Sequence, residues 1–198
     1  MMQNKRIYAV TGGIGCGKTA VSDILKEEGY SVFSCDGIYA ELTRGGTLVK
    51  ELEKAFGGVT AANGSLDRAA LSAKVFSDSS ELEKLNRITH HLIMSELLTR
   101  ARSAQDKIVF CEVPLLFENG FEGLFDGVII VMRPLNQRLE AVEKRSNLTR
   151  AEVLSRINSQ YDYDQNDFTK YYVVHNDGTI KDLQEKIKKI LKNITKLT

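Results

Sequence analysis

The chain has 198 residues, 42% of them hydrophobic and 27% charged, a balance that supports a sizeable buried core and excludes a disordered polypeptide. Its 27 Lys plus Arg against 26 Asp plus Glu leave a net charge of +1, so no bulk charge draws it to nucleic acid or to an anionic membrane. No run of 18 apolar residues and no leader pattern occurs, and three cysteines, Cys16, Cys35 and Cys111, show no metal-ligand spacing; a cytoplasmic protein with reduced thiols is expected.

In chain order, the apolar run Ile7-Tyr8-Ala9-Val10 predicts a strand over 6–10, and Gly12-Gly13-Ile14-Gly15-Cys16-Gly17-Lys18-Thr19 follows after Thr11. These residues fit the phosphate-binding pattern G-x-x-x-x-G-K-[ST], and Ala20, Val21, Ile24 and Leu25 then share one face of a helix. Strand, glycine-rich loop and helix together are the context the pattern requires. Glycines let successive main-chain N–H groups turn toward a phosphate, and the helix N-terminus adds partial positive charge. Lys18 would reach the β- and γ-phosphates, and the Thr19 hydroxyl would ligate the magnesium ion that accompanies ATP.

A second strand is expected over 31–35 and ends at Asp36. A carboxylate there suits the base that accepts the proton of an attacking hydroxyl, or alternatively caps a helix beginning near Ile38. From 37 to 106 no strand is convincing. Ser80 and Glu83 are spaced as a capping box for a long helix with apolar Leu82, Leu85, Ile88, Leu92 and Leu97, so a helical insertion is expected. His90 and His91, adjacent on that helix, point about 100° apart and do not make a metal pair.

The third strand, over 107–112, closes on Glu112, which is placed either to hold magnesium as the acidic end of such a strand or to serve structure. A fourth strand is expected over 127–132. Residues 134–168 then interrupt the alternation, with Thr149 and Glu152 as a capping box and Leu148 and Val153 as a hydrophobic staple. Arg133, Arg138, Arg145, Arg150 and Arg156 cluster there; they suggest a basic lid over a transferring phosphoryl group, or exposed helices balanced by Glu140, Glu143 and Glu152. The last strand, over 171–175, precedes Asn176-Asp177-Gly178, where Asn176 either touches the adenine or makes a turn. An amphipathic helix from Ile180 closes the chain.

Strands alternating with helices predict an α/β fold: a doubly wound, five-stranded parallel sheet of the phosphate-loop type found in nucleoside monophosphate kinases. A single domain is expected over 1–198. Its nucleotide-binding core comprises 1–36, 107–133 and 169–198, with a helical insertion over 37–106 and a lid over 134–168.

With these residues in hand, the chain resembles the dephospho-coenzyme A kinase family over nearly its whole length. The resemblance rests on the phosphate loop, Asp36, Gly64-Ser65-Leu66-Asp67-Arg68 with Leu71 and Val75-Phe76, and Ile88-Thr89-His90 with Leu92-Ile93. Val113-Pro114-Leu115-Leu116-Phe117-Glu118, Arg145 with Thr149, Arg156-Ile157 with Gln160, and Val174-His175-Asn176-Asp177-Gly178 continue it. It implies magnesium-dependent transfer of a phosphoryl group from ATP to the ribose 3′-hydroxyl of dephospho-coenzyme A, with Asp36 as base and Arg145 in the lid. Asp67, Arg68 and His90 would lie on the acceptor side, and neither nucleic acid nor membrane is implied as a partner. Four positions depart from the family pattern: Ser34 replaces a frequent aspartate, His91 a proline, Ala141 an arginine four residues before Arg145, and Tyr171 an aspartate. A kinase of another small metabolite shares the core in this reading. The sequence speaks against a nucleotide-operated switch, since it contains neither an Asn-Lys-x-Asp nor an Asp-x-x-Gly segment.

Overall fold

The computed structural model describes residues 5–76, 78–146 and 148–196. Two compact units divide the chain, residues 1–32 with 104–198 in one and 33–103 in the other.

The first unit carries the sheet. Its strands are β1 (Arg6–Thr11), β2 (Ser31–Ser34, the last two residues belonging to the other unit), β3 (Ile108–Glu112), β4 (Gly127–Met132) and β5 (Tyr172–His175), in the order β2-β3-β1-β4-β5. The pairs β1–β3, β1–β4 and β4–β5 run parallel, with Tyr8 opposite Phe110 on one side and Gly127 on the other. Strands buried on both faces read as continuous apolar runs rather than alternations, which is why Ile7-Tyr8-Ala9-Val10 and Val128-Ile129-Ile130-Val131 are legible as strands. The expected α/β architecture is the one present.

On one face, Tyr8, Val10, Phe110, Ile129, Val131 and Val174 form a single core with two helices, α1 (Lys18–Glu27) and the C-terminal α8 (Ile180–Lys196). The helix α1 supplies Val21, Ile24 and Leu25, while α8 supplies Leu183, Ile187, Leu191 and Ile194 at the spacing of one helical stripe. Burying each such side chain contributes roughly 1.5–3 kcal/mol. Between β4 and β5 lie α6 (Leu135–Arg145) and α7 (Arg150–Asn158), the latter opened by the Thr149–Glu152 capping box. Leu148 and Val153 pack in one cluster with Leu139 and Val142, as the staple predicts. Beyond α7, Tyr161, Tyr163, Phe168 and Tyr171 gather around Phe117, the nearest ring centroid standing 4.9 Å from it.

The second unit is helical. It holds α2 (Cys35–Leu42), α3 (Thr47–Phe56), α4 (Arg68–Val75) and α5 (Ser79–Ser103), with one isolated bridge between Thr60 and Leu66. Leu48, Val49, Leu52, Val59, Leu66, Leu71 and Val75 form its core, against which Leu85, Ile88 and Leu92 of α5 pack. Two helix starts differ from expectation. The start of α5 lies before Ser80, because the Asp78 carboxylate accepts from both the amide and the hydroxyl of Ser80, at 2.8 Å each; the Ser80–Glu83 box does not form. The start of α2 lies at Cys35, with extended Ser34 as the cap accepting from the Gly37 amide, so Asp36 is not the capping residue. No helix among the described residues is long and apolar enough to cross a membrane.

Candidate active site

The glycine-rich segment forms the turn between β1 and α1. Gly17 has φ of +98°, a backbone open chiefly to glycine, and a Cβ there would stand 2.2 Å from Asn176 Nδ2. That approach is used: the Asn176 amide donates to the Cys16 carbonyl at 2.9 Å and so fastens the end of β5 to the loop. A Cβ on Gly15 would meet the Arg138 carbonyl at 2.6 Å, which seats α6 directly on the loop. Lys18 Nζ donates to the Gly12 and Gly13 carbonyls at 2.7 and 3.2 Å and thereby lies across the mouth of the turn. Burial pushes the Cys16 thiol above its ordinary pKa, against the lowering charges of Lys18 and Arg138, so Cys16 is a packed neutral thiol.

Glu112, at the end of β3, is 8% exposed. One carboxylate oxygen accepts from Ser22 Oγ at 2.7 Å and the other from Thr19 Oγ1 at 3.2 Å, both hydroxyls being carried by α1. Ser22 lies outside the phosphate-binding pattern, although its spacing of three from Thr19 puts it on the same helical side. Hard oxygen donors of this kind suit magnesium, which takes one or two protein ligands and completes its shell with water and phosphate. The residues present fit that ion.

Ile14, at the loop crest, is gripped on both sides. Its amide donates to Gln160 Oε1 at 2.7 Å, and its carbonyl accepts from Arg138 Nε at 3.0 Å. Tyr163 reaches Thr11, the residue before the loop, at 3.2 Å between hydroxyls, and burial drives its phenol pKa up. The segment after β4 is therefore bound to the loop. Of the clustered arginines, Arg133 and Arg138 contact the loop, Arg133 Nη1 lying 3.5 Å from the Gly15 carbonyl. Arg145 is exposed at the end of α6, two turns beyond Arg138 on the same face, about 10 Å along the axis. Arg150 pairs with Glu143 at 3.4 Å, and Arg156 is exposed. Beside the loop, Arg133, Gln137, Ala141, Lys144, Asp177 and Gly178 line a cleft of about 540 Å³.

The remaining candidates belong to the helical unit. Asp36 is exposed in the first turn of α2, and among the described residues no donor bonds its carboxylate. Asp67 is the N-cap of α4, accepting from the Ala70 amide at 3.0 Å. The Arg68 guanidinium stands 5.4 Å over the Tyr39 ring, with Nη2 at 3.4 Å from Thr43 Oγ1. His90 is half-buried on α5.

A family model described as dephospho-CoA kinase (CoaE) matches residues 6–182. A dephospho-CoA kinase of Thermus thermophilus is 34% identical over 189 residues, covering 96% of this chain and 92% of its own length. Among solved structures, TT1252 from Thermus thermophilus superposes with a TM-score of 0.80 at 34% identity, covering 96% of this chain and 98% of the other. Dephospho-CoA kinase from Campylobacter jejuni gives 0.70 at 27% identity, with 97% and 98% covered.

Proposed function

The chain belongs to the dephospho-CoA kinase family, and we propose that it transfers the γ-phosphoryl group of ATP to the ribose 3′-hydroxyl of dephospho-coenzyme A, giving coenzyme A and ADP. The observation that carries this reading is a phosphate loop held from three sides, by Asn176, by Arg138 and by Gln160, with Lys18 across its mouth.

In the proposed reaction, the 3′-oxygen bonds to the γ-phosphorus as the bond from that phosphorus to the β–γ bridging oxygen breaks, and ADP leaves. Asp36 takes the hydroxyl proton; Ser34 supplies the helix cap, which leaves the Asp36 carboxylate uncommitted. Gly12, Gly13, Ile14, Gly15, Cys16 and Gly17 cradle the phosphates, and Lys18 exchanges its loop carbonyls for their oxygens. Thr19 and Glu112 would hold magnesium, which would neutralise phosphate charge. The cleft beside Asn176 receives the base end of the nucleotide, with Asn176 fixing the adjacent loop. Arg145 serves the lid formed by 134–168. Asp67, Arg68 and His90 serve the acceptor in a helical substrate-binding insertion.

The deciding experiment measures ATP turnover with dephospho-coenzyme A, AMP, other nucleoside monophosphates, or no acceptor. Strong stimulation by dephospho-coenzyme A alone is expected. Preference for another acceptor overturns the substrate, and equal turnover without any acceptor overturns the kinase reading itself.

A further inference from the structure

Arg138 braces the phosphate loop in the proposed reaction but is given no contact with either substrate there. It is only 6% exposed, yet among the described residues it forms no ion pair with a carboxylate. A guanidinium withdrawn from water without a counter-charge is costly, and such a group persists where a charged ligand completes it. Its surroundings indicate which ligand. Nε is bonded to the Ile14 carbonyl, and Nη2 stands 2.3 Å from where a Cβ on Gly13 would be, so the guanidinium lies close against the phosphate loop. The main chain of α6 is itself seated on Gly15, so a helix rather than a loose segment sets the guanidinium's position.

One helical turn further on, Ala141 lines the neighbouring cleft and offers no cation, although the family resemblance places an arginine at that position. Arg138 and Ala141 are spaced as neighbours on one helical side.

On the premise of the kinase reading, we propose that Arg138 is the guanidinium that α6 directs at the triphosphate, in place of an arginine at position 141. Its Nε is spent on the Ile14 carbonyl, and its two terminal amino groups remain to donate to phosphate oxygens.

The test compares the wild-type chain with Arg138→Gln, which keeps a polar group of similar reach without charge, and with Arg138→Lys. Arg138→Gln is expected to lower kcat by about 10²–10³-fold while the melting temperature stays near wild type. Arg138→Lys, which restores charge without the fork, is expected to recover at least about tenfold of that loss. A residue that only braces the loop predicts the reverse: Gln within about threefold of wild type, or Lys no better than Gln. Either result overturns the proposal. Crystals of the wild-type chain with magnesium and a non-hydrolysable ATP analogue decide it without any substitution. An Arg138 terminal nitrogen about 3 Å from a β- or γ-phosphate oxygen supports it, and terminal nitrogens with protein partners alone overturn it. If wild-type turnover ignores dephospho-coenzyme A, the function falls, and the phosphate distance still judges Arg138.

Discussion

The candidate residues of the phosphate-loop side contrast most sharply with one residue of the helical unit, Asp36. Around the loop, Lys18, Thr19, Glu112, Arg138, Gln160 and Asn176 all have protein partners at 2.7–3.2 Å. In the helical unit, Asp36 is exposed and unbonded among the described residues, whereas Asp67 caps α4 and Arg68 rests on the Tyr39 ring and reaches Thr43. The proposed transfer between two substrates accounts for the contrast. A polyphosphate is bound by many weak main-chain and cationic contacts, which act together only when preorganised, whereas a base must stay free to accept a proton. The loop is built in advance, while the Asp36 carboxylate stays without a hydrogen-bond donor among the described residues.

The sharpest way to break that contrast is Asp36→Asn. The substitution preserves shape and the Ser34 cap, removes only basicity, and is expected to lower kcat by about 10²–10⁴-fold with ATP affinity unchanged in calorimetric titration. Near-normal kcat would make Asp36 an ordinary first-turn acid favoured by the helix dipole. Next in size, Lys18→Ala is expected to cost about 10²–10³-fold in kcat/KM for ATP, with weaker triphosphate binding as well as slower turnover. Here both constants should move, since in the proposed reaction the same ammonium serves bound and reacting phosphates. A fall in melting temperature with normal binding would instead mean that Lys18 merely ties Gly12 to Gly13.

The two sides are also unequally legible in the sequence. The phosphate loop can be read because its donors are consecutive and its flanking strand and helix are local patterns. Glu112 and Asn176 can be placed because strand ends are where ligands bind in such sheets. The grip on Ile14 and Thr11 cannot be assembled that way: Arg138, Gln160 and Tyr163 reach partners 124, 146 and 152 residues away, and no local periodicity records a contact of that separation. Gln160 belongs to a motif that gives it no task, and Tyr163 lies in an aromatic-rich stretch whose clustering is the available signal. Helix starts fail for a different reason. Ser80 and Asp36 have suitable capping chemistry, but Asp78 and Ser34 stand two residues earlier with equal chemistry, and only the backbone conformation decides between such neighbours.

Glu112→Gln sharpens the contrast from the preorganised side. The amide retains one acceptor oxygen and turns an NH₂ toward the Ser22 or Thr19 hydroxyl, so fold and loop should persist. The magnesium concentration for half-maximal activity at fixed ATP is expected to rise about 10–100-fold. An unchanged magnesium requirement would assign Glu112 to anchoring the two hydroxyls of α1 and nothing more.

The smallest effect belongs to the helical unit and asks whether its loops are as well tied as the phosphate loop. Glu53 on α3 accepts from the Gly58 amide at 2.6 Å, the Val59 amide at 2.8 Å and the Thr60 hydroxyl at 2.7 Å, closing the turn after the helix with one carboxylate. Those bonds, the Thr60 hydroxyl first, hold its pKa below the ordinary glutamate value. A carboxylate whose folded pKa is depressed stabilises the fold above its unfolded pKa, about 4.3, and loses that contribution as pH falls through the lower folded value. Glu53→Gln should therefore unfold at lower urea than wild type at pH 7, with the gap closing as the pH is taken below about 4. Matched unfolding curves at about pH 7, 4 and 3 measure it. A gap that does not change with pH would mean that shape rather than charge ties this turn, and the helical unit would then owe the loop's order to its apolar core, where Val59 is fully buried.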